Sequence, residues 1–186
     1  LKHLDLESRN FIFFFWYNCP LAESGAPFIF MNAAGQMHDV TTMLHEGGHA
    51  VHSFLAHPLE LSGFKEYPME IAEVASMAME LMSMDEWETF FTDAADLKRA
   101  KAHQLERVIT IFPWIAVIDK FQHWIYEHPV HTHEERTATW NEILKEFQDD
   151  VIDYSGLEAY RSNGWQRQLH LFEVPFYYIE YGFAQL

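Results

Sequence analysis

His45-Glu46-Gly47-Gly48-His49 is an H-E-x-x-H pentapeptide. On a helix, residues i and i+4 stand one above the other, so both imidazoles can reach a single ion. Zinc accepts neutral imidazole, and a catalytic zinc uses three protein ligands while keeping a fourth position open for water. Glu46 sits beside the first histidine and points to one side of the pair, where it can act as a general base. The third ligand must come from elsewhere. A downstream carboxylate suits a divalent ion already held by two neutral histidines.

The flanking residues supply the helix. From Asp39 to Ala56, Val40, Met43, Leu44, Val51, Phe54 and Leu55 follow an i, i+3, i+4 rhythm. Asp39 is a candidate N-cap. His45, His49 and His52 fall opposite the apolar stripe. Gly47-Gly48 works against helix propensity, which points to the close approach of another backbone or a substrate. A second helix is expected from Pro68 to Met82, with Pro68 in its first turn. Ile71, Val74, Ala75, Ala78 and Met82 make one stripe; Glu66, Glu70, Glu73 and Glu80 lie on the other side. Such an acidic face is ordinarily solvated. Beside an H-E-x-x-H helix it offers ligands, and spacing alone does not choose between Glu70 and Glu73.

The pentapeptide followed by Glu70-Ile71-Ala72-Glu73-Val74-Ala75-Ser76 resembles the thimet oligopeptidase and oligoendopeptidase F family of zinc metallopeptidases, more closely the oligoendopeptidase F branch. Pro20 to Glu23, Pro27 to Asn32 and the tyrosine-rich C-terminal stretch share the likeness. The resemblance implies one Zn²⁺ per chain, held by His45, His49 and Glu73, with Glu46 as general base. Glu80 matches a further acidic position, suited to orienting a ligand histidine. His170 matches a histidine that precedes a tyrosine cluster. With Tyr178 and Tyr181, it is expected to contact the substrate carbonyl; the tyrosine register leaves Tyr177 open. The implied fold is mainly α, a helical gluzincin catalytic core with a small β-sheet near the N-terminus. The implied substrates are oligopeptides. Family members are considerably longer, so residues 1–186 are expected to be a single catalytic domain, a fragment of such a chain. Two rival readings stand beside this one. The first is a non-enzymatic zinc-binding helical module; the second is another gluzincin with Glu70 as third ligand. An intact Glu46 favours an enzyme, because a structural zinc needs no base.

The 186 residues include 28 acidic and 12 basic side chains, for a formal charge of −16. That balance argues against nucleic acid or an anionic membrane surface as partner. No apolar run is long enough to span a bilayer. The single cysteine, Cys19, excludes an internal disulfide and fits a reducing, cytoplasmic setting.

Asn10 to Tyr17 is dense in aromatic and β-branched residues and reads as a strand. The resembled family carries a polar, glycine-rich turn here. Phe11 to Trp16 is therefore expected either to pack over exposed core or to join two chains, making Phe11–Tyr17 a candidate self-association surface. Phe28 to Met31 reads as a short strand. In the family a strand near this point edges the cleft and pairs with substrate; the plain alternative is an ordinary sheet strand. Helices are expected from Asp85 to about Ile111, broken or kinked at Pro113, then from Trp114 to Glu127 and from Glu134 to Asp150. His128, His131 and His133 lie in a polar loop and are read as exposed. Pro175 is expected in the first turn of a last helix.

Overall fold

The computed structural model describes residues 3–10, 16–148 and 151–186. It divides into two compact units: Leu1–Glu106 with Gln185, and Arg107–Ala184 with Leu186. The fold is mainly helical with a small N-terminal sheet. Residues 11–15, most of the aromatic run, lie outside the described residues; Trp16 and Tyr17 are exposed.

In the first unit, β1 (Leu4–Asp5), β2 (Tyr17–Cys19) and β3 (Phe28–Phe30) form a sheet in the order β1-β3-β2. β3 pairs parallel with β1 and antiparallel with β2. Its apolar residues suit that central place: Ile29 and Phe30 are buried, as is Met31 just after the strand. A strand paired on both sides offers no edge to a peptide, so β3 is an ordinary sheet strand. Among the described residues the edges are β1 and β2.

Helix α1 (Met37–Ala56) carries the pentapeptide, and α2 (Met69–Met82) packs against it. The start of α1 differs from expectation. Gln36 is the N-cap and Asp39 the N3 partner of a capping box, its carboxylate accepting the Gln36 and Ala34 N–H groups. Burial differs more. The buried residues of α1 are Thr41, Thr42, Glu46, Gly48 and Ala50, whereas Val51, Phe54 and Leu55 are exposed. In α2 the buried set is Ala72, Glu73, Ser76, Met77 and Glu80, whereas Ile71, Val74 and Met82 are exposed. The two helices thus meet through their polar faces.

The expected helix from Asp85 is two elements: a 3₁₀ segment, Ser83–Thr89, then α3 (Ala94–Glu127). Asp93 starts α3 by accepting the Ala95 and Asp96 N–H groups. Pro113 does not break α3. Pro113 and Ile109, the residue whose carbonyl the proline leaves unpaired, are both exposed, so water can take that bond.

The second unit is built on an apolar cluster of Val117, Ile118, Phe121, Trp140, Ile143, Leu144 and Trp165. α4 (His133–Phe147) presents Trp140, Ile143 and Leu144 to it and begins with a Thr132–Glu135 capping box. Short helices α5 (Glu158–Ser162) and α6 (His170–Glu173) precede α7 (Ile179–Gln185). Pro175 is not in the first turn of α7. It lies in the preceding turn, where Phe176 has a left-handed φ of 59° and donates its N–H to Gln122 Oε1 at 3.0 Å.

Candidate metal centre and active site

His45 and His49 project from one face of α1 with ring centroids 5.0 Å apart. Glu73 enters from α2. Its Oε2 lies 3.4 Å from His45 Nε2 and 3.9 Å from His49 Nε2. One donor atom from each of the three falls within 4.8 Å of the others. A tetrahedral ion with ligands at 2.0–2.1 Å requires its donors to be roughly 3.3 Å apart. The donor set of two imidazoles and a carboxylate fits zinc in chemistry; the 3.4 Å pair matches that spacing and the 3.9 Å pair is wider. Glu70 is outside this group.

What lets α2 come so close is Gly48. A Cβ there would meet Ala75 O at 2.5 Å and Ser76 Cα at 2.6 Å, both backbone atoms of α2. Gly47, by contrast, faces open space. Of the two glycines, only Gly48 answers to close backbone approach.

Each ligand is held from behind. His45 Nδ1 donates to Glu80 Oε1 at 2.7 Å, which leaves the Nε2 lone pair to face Glu73 and His49. Gln104 of α3 donates to the other Glu80 oxygen at 2.7 Å. Ser76 donates to Glu73 Oε2 at 3.2 Å and to the Glu73 carbonyl at 3.0 Å. His49 hydrogen-bonds the Ala72 backbone. Glu46 is 4% exposed and hydrogen-bonds the backbone of Asn18 in β2.

Burial and charge shift the acidities. Burial pushes the Glu46 carboxyl up to about 7; Glu73 adds to the rise, while His45 and Asn18 oppose it. Burial also pushes His49 down to about 4, against the attraction of Glu73. His45 goes the other way. Burial disfavours its charge, but the Glu73 and Glu80 carboxylates outweigh it and raise the imidazole to about 9.

In the second unit, His170, Tyr177, Tyr178 and Tyr181 form one aromatic cluster. The His170 centroid lies 5.6, 5.0 and 5.9 Å from the three tyrosine rings in that order. Tyr181 Oη is 3.4 Å from His170 Nε2, and Gln168 Nε2 is 2.6 Å from His170 Nδ1. Tyr178 packs on the apolar core and hydrogen-bonds Trp114; burial raises its phenol. Among the described residues, His128, His131 and His133 form no metal-binding group. His128 Nδ1 hydrogen-bonds the Trp124 carbonyl and His131 Nε2 accepts from Arg136.

Ser76, Gln104 and Asn18 had no assigned role in the sequence reading. Ser76 had a signal there, standing one turn after Glu73 on the same face. Gln104 and Asn18 had none, because both contacts depend on tertiary packing.

The model for peptidase family M3 matches residues 13–185. The chain belongs to peptidase family M3. An oligoendopeptidase F homolog of Borreliella burgdorferi is 27% identical over an alignment of 170 residues that covers 86% of this chain and 27% of that protein. The solved structure of PZ peptidase A with an inhibitor superposes on 99% of this chain with a TM-score of 0.87 and 31% identity. An oligoendopeptidase F of Bacillus anthracis superposes with a TM-score of 0.80 and 27% identity, again over 99% of this chain. The chain covers 32% and 29% of those two structures, about a third of their length. Among the described residues, no helix is long and apolar enough to cross a membrane.

Proposed function

We propose that this chain is the metal-binding catalytic core of a zinc-dependent oligopeptidase of the oligoendopeptidase F type. The observation that carries this reading is the convergence of His45 Nε2, His49 Nε2 and Glu73 Oε2 from two helices, beside a buried Glu46. His45, His49 and Glu73 would hold one Zn²⁺ per chain, matching the two-histidine, one-glutamate set of catalytic zinc sites. When bound there, zinc supplies a Lewis acid that polarises a carbonyl and makes water more acidic. Glu46 takes a proton from the attacking water as oxygen adds to the scissile carbonyl carbon. It then gives that proton to the leaving amine nitrogen as the C–N bond breaks. His170, Tyr178 and Tyr181 are assigned to the substrate carbonyl, where phenol and imidazole donors steady the negative oxygen that develops. Oligopeptide substrates are supported by the names of the M3 relatives.

Two measurements test the reading. Zinc content should be one per chain in the wild type and in Glu70→Ala, and should fall in Glu73→Ala. Loss of metal from Glu70→Ala with retention in Glu73→Ala would reverse the ligand assignment. Cleavage of a quenched fluorescent oligopeptide should drop by about 10²–10⁴ in Glu46→Gln while zinc stays bound. Equal turnover would remove Glu46 from the mechanism. A zinc-loaded wild type without turnover would favour the non-enzymatic module.

A further inference from the structure

Gln104 is an unusual residue to bury. Along Ala94–Glu106, the part of α3 in the first unit, the fully buried residues are Ala100 and Gln104. They are i and i+4 on one helix face. Gln104 is 3% exposed. Its amide nitrogen donates to Glu80 Oε2 at 2.7 Å, while its amide oxygen has no bonding partner among the described residues. A buried amide with one half unsatisfied costs stability, and an apolar side chain of the same length would avoid that cost. Packing alone therefore does not account for glutamine here. Its one strong contact does, because that contact ends on the residue that orients His45.

We propose that Gln104 is a positioning residue for the metal centre, acting on His45 through Glu80; the proposal rests on the zinc reading above. Glu80 is clamped between two donors. His45 Nδ1 binds Oε1 and Gln104 Nε2 binds Oε2, each at 2.7 Å. A glutamate side chain rotates about three torsions, and each hydrogen bond to its carboxylate narrows the directions in which that carboxylate can hold the imidazole. The second bond, from a different helix, fixes the carboxylate plane. It thereby fixes the direction in which His45 Nε2 presents its lone pair. The relay runs from α3 through α2 to α1, so the ligand geometry depends on three helices. Direct partners of metal-bound histidines typically change metal affinity by 10–100-fold. A group one bond further out is expected at the lower end of that range.

The test uses Gln104→Met, which keeps length and removes the donor. Zinc affinity is measured by competition with a chromophoric chelator, and metal-free folding by thermal melt. The expected result is about tenfold weaker zinc binding, with a metal-free melt below that of the wild type, because the buried Glu80 Oε2 loses the Gln104 donor. The d–d spectrum of the Co²⁺-substituted variant should also shift, which a purely structural role would not produce. In a Glu80→Ala background the same substitution should change affinity less than twofold, as coupling through Glu80 requires. Gln104→Asn, whose shorter arm withdraws the donor but keeps an amide, should match Gln104→Met. Wild-type affinity in both variants would overturn the proposal, and so would an equal loss with and without Glu80. A wild type that binds no zinc would overturn the metal reading first and this proposal with it.

Discussion

Replacing Gly48 by alanine should separate the two helices that build the metal centre. The new methyl carbon would lie 2.5 Å from Ala75 O and 2.6 Å from Ser76 Cα. Both atoms belong to the α2 backbone, so no rotamer change relieves the contact. Ordinary contact begins at 3.4 Å, so α1 and α2 must part by roughly 0.9 Å. Overpacking of this kind costs about 1–3 kcal/mol. The gain in helix propensity on going from glycine to alanine returns about 1 kcal/mol. Gly47 provides the internal reference: it has the same helix and the same propensity gain, but no atom within 4 Å of its added Cβ. The difference between Gly48→Ala and Gly47→Ala therefore isolates the clash. At about 2–4 °C per kcal/mol for a chain of this size, Gly48→Ala should melt several degrees below Gly47→Ala.

The same displacement has a chemical readout. Glu73 rides on α2 while His45 and His49 ride on α1, with donor separations of 3.4 and 3.9 Å. Metal sites tolerate ligand distances of only about ±0.2 Å. A parting of roughly 0.9 Å should weaken zinc binding in Gly48→Ala by at least about tenfold, measured by chelator competition. Gly47→Ala should leave it unchanged. If the two variants melt together and bind zinc alike, Gly48 does not set the helix spacing and the argument fails.

Other consequences follow from acidity, exposure and the apolar core. His45 is raised from 6.5 to about 9, so its contribution to metal-free stability is complete below pH 6.5 and is lost as pH rises through about 9. Because zinc needs the neutral imidazole, metal uptake should release a proton, and apparent affinity should rise roughly tenfold per pH unit between neutral pH and about 9; isothermal titration in buffers of different ionisation enthalpy reads both. Phe54→Ser and Leu55→Ser, at side chains 53% and 74% exposed, should shift stability by no more than about 0.5 kcal/mol, whereas large losses on thermal melting would mean that this face is covered. Trp140 is 1% exposed, makes edge contacts with Trp114 and Phe121 and donates to the Arg161 carbonyl, so Trp140→Ala should cost about 3–5 kcal/mol by denaturant titration.

How the sequence misleads here is itself physical. The helices and the paired histidines were legible because they depend on spacing along single helices, which periodicity encodes, whereas the choice of Glu73 over Glu70 came from the family resemblance and not from spacing. Helix boundaries slipped where the deciding contact was a side chain three residues inside the start, as with Asp39, or where a proline faced solvent, as with Pro113. Pro175 was misplaced because the Phe176 turn is held by Gln122, 54 residues away. The orientation of α1 and α2 was the largest departure. Amphipathic patterning is ordinarily read as apolar-in, because burial of apolar surface is the main favourable term in folding. Yet these two helices bury Glu46, Glu73, Ser76 and Glu80 against each other and expose Phe54, Leu55, Ile71 and Met82. Buried carboxylates of this density are tolerable only if each is matched by a donor or an ion. Asn18 serves Glu46, Ser76 serves Glu73, and His45 with Gln104 serves Glu80. Glu73 alone faces two imidazole nitrogens, one of which, on His49, is held neutral by burial. A divalent cation between these groups would supply the charge that the polar interface lacks, so metal and helix packing should stabilise each other.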